Sequence, residues 1–263
     1  MQSSISVVLP AFNEEQNLAA TVAGAIGVLQ QLGAEFEILI VDDGSADGTA
    51  RVCRDLVRHD CVRVLRHERN RGYGAALRSG FNATRCDLVF FTDADGQFHF
   101  DQLSEFVAAI DKIDLVIGYR ARRRDSRHRK LNSQIGNRIA RAVFGVRARD
   151  INCAYKLIRR ESLARLSLRS GGAMINTELL ALAAQAEWKI RELPVAHFPR
   201  RFGKATGAKP AVIWRTVLEF LRCYSARNAS TGLTRLARRA GSRHASNAAA
   251  PRIASVPLSS IGL

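Results

Sequence analysis

Several absences narrow what this chain can be. Its five cysteines, Cys53, Cys61, Cys86, Cys153 and Cys223, are scattered with no CxxC pair among them. That spacing argues against a structural zinc site or a disulfide framework and suits a reducing cytoplasm. No apolar stretch approaches the ~20 residues that a spanning helix needs. Met1-Gln2-Ser3-Ser4 runs directly into a strand pattern and leaves no room for a signal peptide. There is no internal repeat. A cytoplasmic protein is expected, soluble or peripheral on the cytoplasmic face of a membrane.

Acidic residues are also scarce. The 263 residues carry 40 Lys and Arg against 24 Asp and Glu, a formal net charge of +16. Beyond Ala226 there is no acidic residue at all, while Arg227, Arg235, Arg238, Arg239, Arg243 and Arg252 fall there. Residues 120–130 are dense in arginine, opposed only by Asp125. Such an excess suits a polyanionic partner, whether nucleic acid, an anionic membrane surface or a phosphorylated substrate. For the tail, arginine used simply for solubility explains the charge equally well. The basic block has no aromatic residue after Tyr119, so the stacking platform of a nucleic-acid binder is missing.

What remains is ordinary for a folded enzyme. The apolar fraction is 47%, and the length allows one large α/β domain over residues 1–225 with a basic tail, expected to be disordered, over residues 226–263. Apolar runs at residues 5–9, 36–41, 62–65, 88–92 and 114–118 read as strands. Helical spacing recurs over residues 14–32 (capped by Asn13), 47–58 (capped by Asp47) and 74–83. This alternation predicts a mostly parallel sheet covered on both faces. The second half is less regular: helices are expected over residues 131–144, 174–186 and 211–224, and extended chain over 153–158 and 189–198. The last helix is apolar around much of its circumference and would pack on the core or lie in a membrane interface.

Two acidic motifs, Asp42-Asp43-Gly44-Ser45 and Asp93-Ala94-Asp95-Gly96-Gln97, each follow a buried-strand pattern directly. Ligands of open α/β sheets bind beyond the carboxyl ends of the strands, so both motifs are expected to face one crevice. Carboxylates so close repel one another unless a cation compensates them. A divalent metal holding a diphosphate supplies that charge. Asp93 and Asp95, with Gln97 as a neutral oxygen donor, are the candidate ligands of Mg²⁺ or Mn²⁺. Asp42 and Asp43 suit a nucleoside, whose ribose hydroxyls or base N–H they can accept. The first loop, Pro10-Ala11-Phe12-Asn13-Glu14, would border the same crevice.

These three segments, with Val41-Asp42-Asp43-Gly44-Ser45-Ala46-Asp47-Gly48-Thr49 in the middle, resemble the motif series of family 2 glycosyltransferases. Within that family the chain is most similar to the dolichyl (polyprenyl) phosphate mannosyl- and glucosyltransferases, over roughly residues 5–224. The resemblance implies a GT-A fold, a nucleoside-diphosphate sugar of the GDP-mannose or UDP-glucose class, a divalent metal and inversion at the anomeric carbon. It implies nucleotide contacts at Pro10, Glu14 and Asp42, and metal or diphosphate contacts at Asp93, Asp95 and Gln97. Gly118-Tyr119-Arg120 resembles the family's Gly-x-Arg, which implies that Arg120 contacts phosphate. The segment Asp150-Ile151-Asn152-Cys153-Ala154-Tyr155-Lys156-Leu157 resembles one with an aspartate near the acceptor. Asn176-Thr177-Glu178 resembles a helix carrying an inward glutamate. His197-Phe198-Pro199-Arg200-Arg201-Phe202-Gly203-Lys204 resembles a basic segment closing on phosphate, although Gly203-Lys204-Ala205-Thr206 departs from the common Gly-x-Ser-Lys.

The chemistry of an acceptor then divides the site residues. A hydroxyl acceptor needs a general base, for which Asp150 is the candidate; a phosphate monoester is already anionic and needs cations instead. Arg120, Arg122, Arg123, Arg124, Arg200, Arg201 and Lys204 are the cations available, and Asp150 would then orient an arginine. Glu178 is assigned to the acceptor side, and His197 to structure. Polyprenyl phosphate is the expected acceptor. A saccharide or other hydroxyl acceptor is the alternative, and a nucleotidyltransferase is disfavoured because residues 10–16 are acidic rather than glycine-rich and basic.

Overall fold

The computed structural model describes residues 3–121 and 145–203. The expected helices over residues 131–144 and 211–224, the tail, Arg122, Arg123, Arg124 and Lys204 lie outside the described residues.

Seven strands form one sheet: β1 (Ile5–Ala11), β2 (Phe36–Asp42), β3 (Val62–Arg66), β4 (Leu88–Thr92), β5 (Leu115–Arg120), β6 (Tyr155–Arg159) and β7 (Ile190–Val195). Their spatial order is β3-β2-β1-β4-β6-β5-β7. The helices are α1 (Leu18–Leu32), α2 (Thr49–Leu56), α3 (Tyr73–Ala83), α4 (Leu103–Ala109), α5 (Arg160–Ala164) and α6 (Ile175–Gln185). Strands β1, β2, β3 and β4 run parallel, with Ala11 opposite Asp42 and Val8 opposite Phe91. β5 and β7 are parallel to each other, but β6 is antiparallel to both β4 and β5. The sheet is therefore mixed. Residues 153–158 read as extended chain from their apolar content, which does not encode direction.

β1 and β4 are buried along their whole length, as expected of central strands covered on two faces. Period-2 alternation sends neighbouring side chains to opposite layers. Phe90 meets Tyr155 at 4.7 Å between ring centroids, and Phe106 of α4 meets the same Tyr155 at 4.9 Å. Phe91, on the other face, meets Phe81 of α3 at 5.3 Å. Helix α3 lies close over the sheet because Gly80 has no side chain; a Cβ there would collide with Val8. Gly74, nearly two turns earlier, would place a Cβ 2.6 Å from the Ser170 carbonyl and 2.7 Å from that of Gly172, so this glycine admits the 170–172 loop.

Local expectations needed adjustment at three points. Helix α1 begins at Leu18, and its cap position is Asn17, not Asn13. Asn13 sits at φ 57° and its amide oxygen accepts the Ala46 N–H at 2.9 Å, so it ties two loops together instead of capping. Helix α2 begins at Thr49 with Gly48, not Asp47, at its cap position; Asp47, one residue earlier, still accepts the Thr49 N–H at 2.9 Å and the Thr49 hydroxyl at 2.5 Å. Helices α4 and α5 are short, at 7 and 5 residues, and too brief for helical spacing to announce.

The edge of the sheet remote from the acidic motifs holds a buried polar cluster. Glu37 accepts the Ser6 hydroxyl at 2.6 Å, the Arg85 N–H at 2.8 Å and the Arg63 guanidinium at 2.6 Å. Burial alone would raise the Glu37 pKa, but the bonds from Ser6, Arg63 and Arg85 outweigh it and hold the carboxyl below its ordinary value.

Candidate active site

The carboxyl ends of β1, β2 and β4 come to the same edge of the sheet, as the parallel register requires. Backbone and side-chain bonds lock the loops that follow. The Asp43 N–H donates to the Ala11 carbonyl at 2.9 Å, and the Asn13 N–H to the Ser45 hydroxyl at 3.0 Å. The Glu14 N–H donates to the Thr49 hydroxyl at 2.8 Å. Pro10 and Ala11 are buried in β1 and form the floor under these loops.

The first acidic motif divides into two kinds of carboxylate. Asp43 has both oxygens occupied: Oδ1 by His67 at 2.6 Å and the Arg71 N–H at 2.9 Å, and Oδ2 by the Gly72 N–H at 2.8 Å. It organises the turn into α3. Asp42 is fully enclosed; Oδ1 accepts the Ser45 N–H at 2.9 Å. Its Oδ2 has no hydrogen-bond partner among the described residues and is covered by the Arg66 guanidinium at 3.3 Å. Arg66 is itself 54% exposed.

In the second motif, Asp95 lies buried while the Oδ1 of Asp93 is enclosed without a hydrogen-bond partner among the described residues. Burial, and then repulsion from Asp95, raise the Asp93 pKa to about 7. Burial raises that of Asp95 as well. The Tyr73 hydroxyl lies beside Asp93 but forms no well-shaped hydrogen bond with it. Two hard oxygen donors that repel one another, one with an orphaned atom, suit a small divalent cation such as Mg²⁺ or Mn²⁺. No cluster of three or more acidic, His or Cys side chains with ligand geometry occurs among the described residues. A metal here would therefore draw on these two carboxylates plus phosphate oxygens and water. Gln97 Nε2 donates to the Phe198 carbonyl at 3.1 Å.

The segment after β7 crosses this loop as a strap. The Phe198 N–H donates to the Gln97 carbonyl at 2.9 Å, and the His197 ring packs on Phe98 at 5.1 Å. Arg200 then reaches both acidic loops, pairing with Glu14 Oε1 and lying 3.5 Å from Asp95 Oδ2. Its Nε donates to the Phe202 carbonyl at 2.6 Å. Glu14 is buried, and that burial raises its pKa against the opposing pull of Asn17 and Arg200. Arg201 is exposed on the strap.

The far wall is built on β5 and β6. Arg120, at the end of β5, forms a two-point ion pair with Asp150: Nε to Oδ2 at 2.6 Å and Nη2 to Oδ1 at 2.9 Å. Behind it sits a residue that sequence reasoning passed over. Lys156 of β6 is completely buried, and its ammonium donates to the carbonyls of Ile151 (3.2 Å) and Cys153 and to Asn176 Oδ1 at 2.9 Å. Burial lowers its pKa to about 8, opposed by nearby Asp150 and Asp93. A lone lysine inside the apolar run Tyr155-Lys156-Leu157-Ile158 was the available signal. On α6 the inward polar residue is Asn176, not Glu178. Glu178 is half-buried and accepts the N–H groups of Arg169 (2.9 Å) and Ser170 (2.8 Å), fixing the loop that Gly74 admits. Residues two apart on a helix diverge by about 200°, so only one of this pair can face the sheet.

The description of glycosyl transferase family 2 matches residues 6–167, spanning all three acidic loops and the Arg120–Asp150 wall. The chain belongs to that family. Among curated relatives, it is 30% identical over 220 residues to dolichyl-phosphate beta-glucosyltransferase of Saccharomyces cerevisiae, covering 73% of this chain and 66% of the relative. It is 32% identical over 205 residues to undecaprenyl-phosphate 4-deoxy-4-formamido-L-arabinose transferase of Aeromonas hydrophila, covering 76% of this chain and 62% of the relative. The chain thus spans just under two thirds of the length of each. The fold is GT-A. Glucosyl-3-phosphoglycerate synthase from Mycobacterium tuberculosis, in complex with Mn²⁺, uridine-diphosphate-glucose and phosphoglyceric acid, superposes with a TM-score of 0.65 at 22% identity, over 85% of this chain and 80% of that one. No helix among the described residues is long and apolar enough to cross a membrane.

Proposed function

We propose that this family 2 protein is an inverting, metal-dependent hexosyltransferase that takes sugar from a nucleoside diphosphate and passes it to a polyprenyl phosphate. The observation that carries the donor half is the Asp93–Asp95 pair, enclosed, mutually repelling and with an orphaned oxygen. Mg²⁺ or Mn²⁺ bound there would neutralise the diphosphate as it leaves. Arg66 swings from Asp42 to admit the nucleoside, whose N–H or hydroxyl the freed Oδ2 accepts. Pro10, Ala11, Asn13 and Glu14 shape the adjoining wall, and Asp43 holds the turn beside it. Arg200 sits between Glu14 and Asp95, which supports a role in exchanging a carboxylate for a phosphate oxygen of the departing diphosphate.

For the acceptor, the state of Asp150 supports a phosphate. Both its oxygens are engaged by Arg120, which leaves it poorly placed to take a proton from a hydroxyl. A phosphate monoester needs no base, and a guanidinium aligned by a carboxylate is well suited to place it. The names of the two curated relatives, which act on dolichyl and undecaprenyl phosphates, support the same class. Uridine-diphosphate-glucose, present in the structural neighbour, favours trying UDP-sugars before GDP-mannose. The test is incubation of the full chain with Mn²⁺, polyprenyl phosphate and radiolabelled UDP-glucose or GDP-mannose. Label extractable into chloroform is the expected result. Transfer confined to water-soluble saccharide products would sink the lipid acceptor and bring Asp150 back as a base.

A further inference from the structure

Away from the acidic crevice, a groove of about 560 Å³ runs along α3 between that helix and the chain of α5 and the loop after it. Its polar lining includes the side chains of Arg71, Arg78, Arg160 and Ser79, with no carboxylate among the described residues that line it. Its apolar lining includes Leu163 and Leu168. A volume of this order is that of a small-molecule site. Arg78 and Arg160 line one concavity with no carboxylate among its described lining residues, which makes the groove positive.

A second observation points to a ligand. Arg78 uses Nη1 weakly, on the Leu168 carbonyl at 3.5 Å, while its Nε is buried with no hydrogen-bond partner among the described residues. A buried guanidinium donor without an acceptor is costly, and an anion in the groove would satisfy it. Ser79, on the same wall, is already oriented: its hydroxyl meets His67 Nε2 at 2.9 Å, and His67 Nδ1 meets Asp43. The groove is thereby joined to the turn beside the nucleotide loop, because Asp43 also holds the N–H groups of Arg71 and Gly72.

We propose that this groove is a binding site for a phosphate-bearing ligand, distinct from the donor and metal site. Arg78 and Arg160 take the phosphate oxygens. The leucine side of the groove accommodates an apolar substituent where the ligand has one. A phosphate group reaches the site either as a lipid headgroup or as a free phosphate, and the two are told apart by the component of binding that depends on Arg160, which lies away from the acceptor site proposed at Arg120.

The test is calorimetric titration of the full chain, metal-free in EDTA, with inorganic phosphate and separately with dodecyl phosphate below its micelle concentration. Wild-type protein should show a binding component that depends on Arg160, and that component reports the groove. Dodecyl phosphate binding at least about tenfold tighter identifies a lipid phosphate, while equal affinities identify free phosphate. Arg160→Gln, at an exposed position that carries no packing role, should weaken either ligand by about tenfold, as loss of one charged hydrogen bond predicts. Arg78→Gln should do the same, with a thermal melt confirming that it folds. In a separate titration without EDTA, UDP with Mn²⁺ should leave the Arg160-dependent phosphate binding intact. Unchanged affinity in both variants, or competition by UDP and Mn²⁺, would overturn the proposal.

Discussion

Replacing Asp150 by Asn separates a catalytic base from a residue that holds an arginine. The pair is well enclosed, with Arg120 13% and Asp150 6% exposed, so solvent screening offsets little of its loss. Removing one partner of a buried ion pair costs about 3–5 kcal/mol, because the other charge is left uncompensated. Asparagine keeps one oxygen for the guanidinium, which returns about 1 kcal/mol. The expected net loss is then about 2–4 kcal/mol, or a fall of roughly 1 M in the urea midpoint for a slope of about 2–3 kcal/mol/M. Turnover should fall with it through misplacement of Arg120, by about 10²-fold, mainly as a higher KM for the acceptor. The pH profile should keep its shape. A base would behave differently: stability nearly unchanged, kcat down by about 10²–10⁴-fold, and the acidic limb of the profile gone. Urea unfolding and a pH–rate series on the same preparation distinguish the two. An unmoved urea midpoint with a lost acidic limb would refute the reasoning.

Three further outcomes are expected. Mn²⁺ should raise the melting temperature of the wild type, and more at pH 8 than at pH 6, since the Asp93 pKa is raised to about 7 and metal requires the ionised carboxylate. Asp95→Ala should remove that metal-induced shift and the metal-dependent turnover while leaving the metal-free melt near the wild-type value; a full Mn²⁺ response in that variant would dismiss the assignment. Glu37→Gln concerns stability alone: it loses charge-assisted bonds from Arg63, Ser6 and Arg85 and should cost about 1–3 kcal/mol at neutral pH. The folded Glu37 pKa lies below its ordinary value of 4.5, so its contribution is present above that pH and vanishes as pH falls through the folded value. The gap between variant and wild type should therefore close below about pH 4. A gap independent of pH in acid denaturation curves would rule this out.

The acidic motifs were legible because strand, turn and carboxylate follow one another in the chain. A parallel register then delivers neighbouring strand ends to one edge, as the pairing of Ala11 with Asp42 shows. Asp93 and Asp95 could be named together for the same reason. The Arg120–Asp150 contact was readable only as a resemblance, since 30 residues separate the partners. Lys156 was harder still. Its motif was visible, but a lysine in a strand is ordinarily placed at the surface, and only the carbonyls of Ile151 and Cys153 and the Asn176 amide explain its burial.

By itself, then, the sequence determined the alternation of strands and helices, the two acidic turns and the family to which they belong. These are carried by periodicity and by residues adjacent in the chain. Tertiary structure decided the direction of β6, the spending of Asp43 on the α3 turn, the exchange of Glu178 for Asn176 as the inward group, and the bridging of Glu14 and Asp95 by Arg200. Each of these depends on which groups a distant segment brings within hydrogen-bonding reach. A carboxylate is equally able to take a nucleoside, a metal or a backbone N–H, and the partner that folding places 3 Å away settles which.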